Sequence, residues 1–320
     1  MRLVLRYRGD LLETASSDGE TCLNRVLALL GPTAAGKTEV AVQVAERLGA
    51  EIISVDSMQV YVGMDIGTAK PNLVERRDVP HHMIDVAEPE IEFTVADFRR
   101  IGRGILESSE SASMLITGGS GLHFRALVDP MSFAPTDPEL RAELEETPIE
   151  EVLAELRRVD PEVDRHVDMA NPRRLIRAVE VWRLSGETPS QRASSAEAED
   201  LRRYVPEIEF MAIGVDPGDA LDQRVEARLE EMRAGGLVEE VNGLRQRLGR
   251  TARNAVGYRE ILDALEGLCS LDEAFERAAR NTRKLARKQR TWFQRDPRIR
   301  WIPWLDDIAG RVDRVLEAMS

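Results

Sequence analysis

Cysteine is scarce in this 320-residue chain: Cys22 and Cys269 are the only two. They form no C-x-x-C pair and no zinc-ligand spacing, which excludes a disulfide framework and a cysteine-built metal site and fits a cytoplasmic location. Long apolar runs are missing too. Near the strand signals the longest is Val26-Leu27-Ala28-Leu29-Leu30, whereas a membrane span takes about 20 apolar residues; no membrane partner is expected. The N-terminal stretch mixes Arg2, Arg6 and Arg8 with Asp10, Glu13, Asp18 and Glu20 and does not read as a secretory signal. Lysine is scarce as well. Of 44 basic residues only Lys37, Lys70, Lys284 and Lys288 are lysine, so a lysine kept against that bias hints at a position needing a compact ammonium.

What is present suffices for a folded protein. Hydrophobic residues make up 42% and charged residues 32% of the chain, and its length corresponds to one large or two small domains at about 100–200 residues each. The net charge of −13 is unevenly spread. Between Arg280 and Arg300 nine basic residues face one acid, Asp296, so that stretch is +8 and the remainder −21. The basic stretch is either a solvated helix face or a surface that grips a polyanion.

The order of patterns indicates the fold. Residues 1–24 lack periodicity and read as a loose N-terminal extension. Arg25–Leu30 reads as a buried strand, 37–48 as a helix, Glu51–Val55 as a second strand ending on Asp56, 94–108 as a helix opened by Thr94, and Ser113–Thr117 as a third strand running into Gly118-Gly119. Strand and helix alternating in this way give a parallel α/β sheet that binds ligands at the carboxyl ends of its strands. From 135 to 205 the pattern becomes helical, with 186–205 loop-like and polar. Ile208–Val215 reads as a returning strand, and the chain from Pro217 reads as helical. The expected architecture is a P-loop NTPase-like core over 25–134 and 206–320, a parallel sheet flanked by helices, with a helical insertion domain at 135–205.

Gly31-Pro32-Thr33-Ala34-Ala35-Gly36-Lys37-Thr38 fits G-x-x-x-x-G-K-[ST] between a strand and a helix. Such a loop turns its backbone N–H groups inward at a helix N-terminus and binds phosphate. Lys37 would reach the phosphates and Thr38 would hold Mg²⁺. No N-K-x-D guanine motif follows; the loop alone leaves a small-molecule kinase open.

The blocks that follow narrow the choice. Asp56-Ser57-Met58-Gln59-Val60-Tyr61, Gly63-Met64-Asp65-Ile66-Gly67-Thr68-Ala69-Lys70-Pro71, Pro80-His81-His82-Met83-Ile84-Asp85, Gly118-Gly119-Ser120-Gly121-Leu122-His123-Phe124, Asn171-Pro172-Arg173-Arg174-Leu175-Ile176-Arg177-Ala178, Ala255-Val256-Gly257-Tyr258-Arg259-Glu260 and Lys288-Gln289-Arg290-Thr291-Trp292-Phe293 occur in this order. Together they resemble the tRNA dimethylallyltransferases (tRNA isopentenyltransferases), from about residue 26 to 305. The resemblance implies transfer of a five-carbon group from dimethylallyl diphosphate to N6 of adenosine at tRNA position 37, beside the anticodon, by a cytoplasmic monomer that takes Mg²⁺ as cofactor and the tRNA anticodon stem-loop as partner.

It also implies roles. The phosphate loop would cradle the donor's diphosphate, with Thr33, Lys37, Arg228 and Arg224 touching it; on residue type alone the two arginines could equally be an exposed, ion-paired helix face. Asp56 aligns with the family's general base, a magnesium ligand or an N-cap being the other readings of that carboxylate, and Ser57, Met58 and Gln59 with contacts to the target base. Ser120 stands where the family has threonine and keeps the hydroxyl. Arg141, Arg173, Arg174, Leu175, Ile176, Arg177 and Asn254, Ala255, Val256, Gly257, Tyr258, Arg259 align with tRNA contacts. Two departures stand out: His123 replaces a tyrosine and Val62 an arginine. Other readings are a prenyltransferase acting on free adenine nucleotides, which would not need the insertion or the basic helix, a small-molecule kinase, and a non-catalytic RNA-binding protein, which the intact Lys37, Thr38 and Asp56 speak against.

Overall fold

The computed structural model describes residues 25–319, so the expected loose extension over 1–24 lies outside the described residues. Six strands, β1 (Arg25–Leu30), β2 (Glu51–Val55), β3 (His81–His82), β4 (Ser113–Gly118), β5 (Met211–Gly214) and β6 (Ile299–Trp301), form one sheet. Their order is β3-β2-β4-β1-β5-β6, and every pairing is parallel. Parallel strands need crossovers that cover the sheet faces, so central strands are apolar on both sides. In β1, Val26, Ala28 and Leu30 enter one core and Leu27 and Leu29 the other. Helices Lys37–Leu48 and Ile308–Met319 pack on the second face through Val40, Val44, Val312 and Val315. Helices Val95–Ser108, Gly121–Val128, Leu221–Ala234, Tyr258–Leu265 and Leu271–Gln294 supply the first.

The chain divides into two compact units. One combines the residues up to Val128 with those from Ile208 onward; the other is Asp129–Glu207. The second is helical and has its own core of Leu144, Val152, Leu156, Val163, Leu175, Ala178 and Val179.

Local signals account for the element boundaries. Thr94 caps its helix by accepting from the Asp97 N–H, while the Asp97 side chain accepts from the Thr94 N–H, a reciprocal capping box. Four details differ from the sequence reading. The polar segment 186–205 contains two short helices, Pro189–Ala193 and Ala196–Arg203, capped by Thr188 and Ser195; they are too short and polar to show a periodicity. The returning strand shortens to Met211–Gly214. β3 and β6 have no sequence signal, because two or three residues carry no alternation and only their neighbours in the sheet define them. The two-unit boundary falls at 129 and 207 rather than 135 and 205.

Candidate active site

The carboxyl ends of β1, β2 and β4 carry the phosphate loop, Asp56 and Gly119-Ser120, which therefore converge. The loop's glycines answer to geometry. A Cβ on Gly31 would sit 2.1 Å from the Val215 carbonyl oxygen. Gly36 is left-handed at φ 68°, and a Cβ there would stand 2.8 and 2.9 Å from the Arg311 and Arg224 guanidinium nitrogens. Ala34, also left-handed at φ 61°, holds a conformation that costs an L-residue roughly 1–2 kcal/mol.

Lys37 is 9% exposed and donates to the Pro32 carbonyl at 2.7 Å. Burial, helped by the nearby Arg228 charge and opposed by Asp56, lowers its pKa to about 7. Arg228 donates to Thr33 Oγ1 at 3.0 Å and to the Thr68 carbonyl at 3.3 Å, and burial lowers its pKa as well. Arg224 donates to the Ala34 carbonyl at 2.7 Å and lies 5.0 Å from the centre of the Trp304 ring. The two arginines thus hold the loop rather than decorating an exposed helix face. Lys37, Arg224 and Arg228 gather around the loop, with the Asp56 carboxylate as the nearby opposite charge.

Two cavities meet here. The first, about 330 Å³, is walled by Thr33, Lys37, Thr38, Arg224 and Arg228. The second, about 270 Å³, has an apolar lining that includes Met58, Leu122, Val225, Leu229, Met232 and Trp292. Thr33, Asp56, Thr68, Gly119, Arg228 and Gln289 line both. Asp56 therefore stands at the boundary between a cationic cradle and an apolar chamber. Its Oδ1 accepts from the Met58 N–H at 2.8 Å and the Gln59 N–H at 3.3 Å, so it does cap its turn.

The residues expected to touch RNA divide into two groups. Ser57, Met58, Ser120, Ala255, Val256 and Gly257 line the second cavity. Asn254 and Arg259 are exposed, Arg259 pairing with Glu260 at 3.0 Å. Gln59 lines the first cavity, and its amide accepts from Ser54 Oγ and donates to the Thr68 and Ala69 carbonyls, which ties β2 to the 65–70 loop. Tyr258 is a correction. It is fully buried and donates its hydroxyl to Glu240, so it organises the interior instead of meeting RNA. In the helical unit Arg173 and Arg174 are exposed and Ile176 half-buried, but Leu175, 2% exposed, belongs to the core. Arg141 and Arg177 both donate to Glu180, at 2.6 and 2.7 Å, and that carboxylate is fully buried.

The basic helix Leu271–Gln294 is less one-sided than its count suggests. Arg283 pairs with Glu226, Arg287 with Asp222 and Arg290 with Asp216. Lys284 and Lys288 are exposed, and Lys288 lines the second cavity. Three further side chains support the phosphate loop or the 65–70 loop without a sequence signal for their roles. Gln289 accepts from the Thr33 N–H at 2.8 Å; its block of sequence is distinctive, but its partner is remote in the chain. Arg311, 4.2 Å from the Trp304 ring centre and adjoining Gly36, comes from a C-terminal helix with no motif. Glu240 accepts from the Asp65, Ile66 and Gly67 N–H groups at 2.7–3.0 Å and has no local signal at all. His82 bonds Glu51 and His81 the Val79 carbonyl.

Known proteins resemble this chain in sequence and fold. The tRNA dimethylallyltransferase of Bifidobacterium adolescentis is 42% identical over 306 residues, covering 92% of this chain and 89% of that protein. The protein of the same name from Thermobifida fusca is 41% identical over 307 residues, covering 91% and 93%. Among solved structures, the full-length tRNA isopentenylpyrophosphate transferase of Bacillus halodurans superposes with a TM-score of 0.65 at 31% identity over 92% of this chain and 97% of that one. A eukaryotic dimethylallyltransferase acting on tRNA reaches a TM-score of 0.70 at 22% identity, a likeness of fold. The family model described as IPP transferase matches residues 59–296, so this chain belongs to the IPP transferase family.

Proposed function

We propose that this protein transfers the dimethylallyl group of dimethylallyl diphosphate to N6 of adenosine 37 in tRNA, next to the anticodon, and releases diphosphate. The observation that carries this reading is the pair of adjoining cavities with Asp56 between them. A diphosphate suits the cradle of Lys37, Arg224 and Arg228, and a five-carbon chain with an adenine suits the apolar chamber. As the C–N bond forms, the C–O bond of the donor breaks and the diphosphate leaves with the electron pair. The proton lost from N6 goes to the Asp56 carboxylate. Charge grows on the leaving diphosphate in the transition state, so preorganised cations and loop N–H groups aimed at it lower the barrier. Adenosine must leave its stack to reach Asp56, at a cost of a few kcal/mol.

A magnesium ion fits the donor chemistry. Thr38 offers a hydroxyl on the wall of the cradle and Asp56 a carboxylate on the same wall, and Mg²⁺ typically takes one or two protein oxygens with phosphate and water as the rest. When bound it would add positive charge to the leaving group; Thr38 would hold it. We read the exposed Arg173 and Arg174 of the helical unit, with Lys284 and Lys288, as phosphate contacts to the anticodon stem-loop. The enzyme would act as a cytoplasmic monomer; among the described residues no helix is long and apolar enough to cross a membrane.

The test is incubation of purified protein with labelled dimethylallyl diphosphate, Mg²⁺ and total tRNA, followed by nucleoside analysis. Label in N6-dimethylallyladenosine is the expected result. Label in free AMP or ADP instead, or phosphoryl transfer from labelled ATP without prenyl donor, would overturn it.

A further inference from the structure

Ser120 sits where the structure makes a bond that the family pattern would not. His123, the residue standing in place of tyrosine, is 8% exposed, and its Nδ1 lies 2.7 Å from Ser120 Oγ. Phe98 contacts the ring edge-on, with centroids 4.6 Å apart at 86°. The backbone of Ser120 is already tied down: its N–H donates to the Val55 carbonyl and its carbonyl accepts from the Phe124 N–H, both at 3.0 Å. What is left to settle is the hydroxyl, which has three staggered χ1 positions. A tyrosine carries its polar atom at the far end of the ring, beyond reach of a side chain three residues earlier; a histidine carries Nδ1 next to Cγ.

We propose that His123 is a positioning residue that fixes the Ser120 hydroxyl in one direction on the wall of the chamber where the target amine meets Asp56. The proposal rests on the transferase reading above. Ser120, Asp56 and Met58 line the same cavity, so the hydroxyl's direction bears on the reacting centre. Burial keeps the imidazole neutral, with a pKa of about 4 despite the upward pull of Asp56. One ring nitrogen is then a donor and the other an acceptor, and the bond to Ser120 persists across the neutral range.

A double-mutant cycle separates positioning from packing. Single-turnover rates at saturating donor and tRNA are measured for wild type, His123→Phe, Ser120→Ala and the double variant, with melting temperatures alongside. Phe keeps the ring and its contact with Phe98 but removes the nitrogen. The expected loss for His123→Phe is about 3- to 10-fold in chemical rate, the usual worth of one hydrogen bond, with donor and tRNA affinities retained. In the Ser120→Ala background the same change is expected to have no further effect. An equal loss in both backgrounds, or none in the wild type, overturns the proposal. Should the Phe variant fail to fold, His123→Asn, whose amide overlaps Nδ1, is expected to stay within about two-fold of wild type; a loss of tenfold or more overturns the proposal. A wild-type protein that transfers no prenyl group rejects the proposed function itself, whereas turnover with an additive cycle rejects only the role of His123.

Discussion

Asp56 carries an observed cap and a proposed base on one carboxylate, and a substitution can separate them. Oδ1 caps the turn at Met58 and Gln59, while the proposed reaction assigns the N6 proton to Oδ2. Asp56→Asn keeps the capping oxygen and removes the base. Its chemical rate is expected to fall by roughly 10²–10⁴, the usual worth of a positioned base, with tRNA and donor binding retained. Single-turnover kinetics decide it, and a rate within a few-fold of wild type would remove Asp56 from the base role. Lys37 differs because its proton is itself held weakly. With a folded pKa of about 7 against an ordinary 10.5, the unliganded protein keeps Lys37 neutral between those values, while the unfolded chain keeps it charged. The unfolded state therefore binds more protons in that window, so stability rises with pH through it, and the penalty is complete below pH 7. Lys37→Met is expected to raise the melting temperature of the unliganded protein at pH 7 and to weaken donor binding, leaving tRNA affinity alone. Donor affinity in the wild type is expected to fall with rising pH above pH 7, by up to about tenfold per unit, because the diphosphate needs the ammonium that the site has given up. Calorimetric titrations of donor across pH check this: the Met variant should lose that slope, and identical slopes would show that Lys37 is not the titrating partner.

At the level of elements, the 65–70 loop and the basic helix each depend on partners distant in sequence. The loop is held by one carboxylate, Glu240, which accepts from three successive N–H groups and from Tyr258. Burial and Glu240 raise the Tyr258 pKa, so the phenol stays protonated and donating. Glu240→Ala strands those donors, at about 1–3 kcal/mol for the buried Tyr258 hydroxyl and less for the half-exposed loop N–H groups. Faster amide exchange at Ile66 and Gly67 is expected, with strand β1 unaffected. Uniformly faster exchange would mean global destabilisation, and no change would show that the loop holds itself. On the basic helix the arginines at 283, 287 and 290 are paired with acids, whereas Lys284 and Lys288 are exposed. Removing one phosphate-binding charge flattens the log–log salt dependence of RNA binding by about 0.7–0.9. Replacing both lysines with Gln is expected to weaken tRNA binding most at low salt. Salt curves parallel to wild type would move the helix off the RNA-binding surface.

Across the whole molecule, the insertion leaves and rejoins the sheet-containing unit at neighbouring points. The Ile208 N–H donates to the Val128 carbonyl at 3.1 Å, and the intervening Asp129–Glu207 has a core of its own. Ends this close allow a short turn to replace the insertion, since closing a short loop costs little. A chain lacking 129–207 is expected to fold cooperatively and bind the donor's diphosphate, yet to lose most of its tRNA affinity and transfer. Filter binding with each ligand checks the two halves of that expectation. Full tRNA affinity in the shortened chain would place RNA recognition entirely in the sheet-containing unit.

How much of this was legible in the sequence depends on the range of the interaction. The phosphate loop, the Thr94 cap and the helix Lys37–Leu48 were readable because their causes lie within a few residues: a glycine spacing, an oxygen three places before an N–H, an apolar stripe. Asp56 was readable as a strand-end carboxylate, and the order of the blocks identified the family's chemistry. Tertiary structure alone assigned Leu175 and Tyr258 to the interior, gave Gln59 an internal bonding role, and set Gln289 and Arg311 against the phosphate loop and Glu240 against the 65–70 loop. It also made β3 and β6 strands, since a two- or three-residue segment owes its conformation to the neighbour that pairs with it. Local chemistry is written in neighbouring letters; burial and partnership come from segments that meet only after the sheet has formed, so no window of sequence contains them.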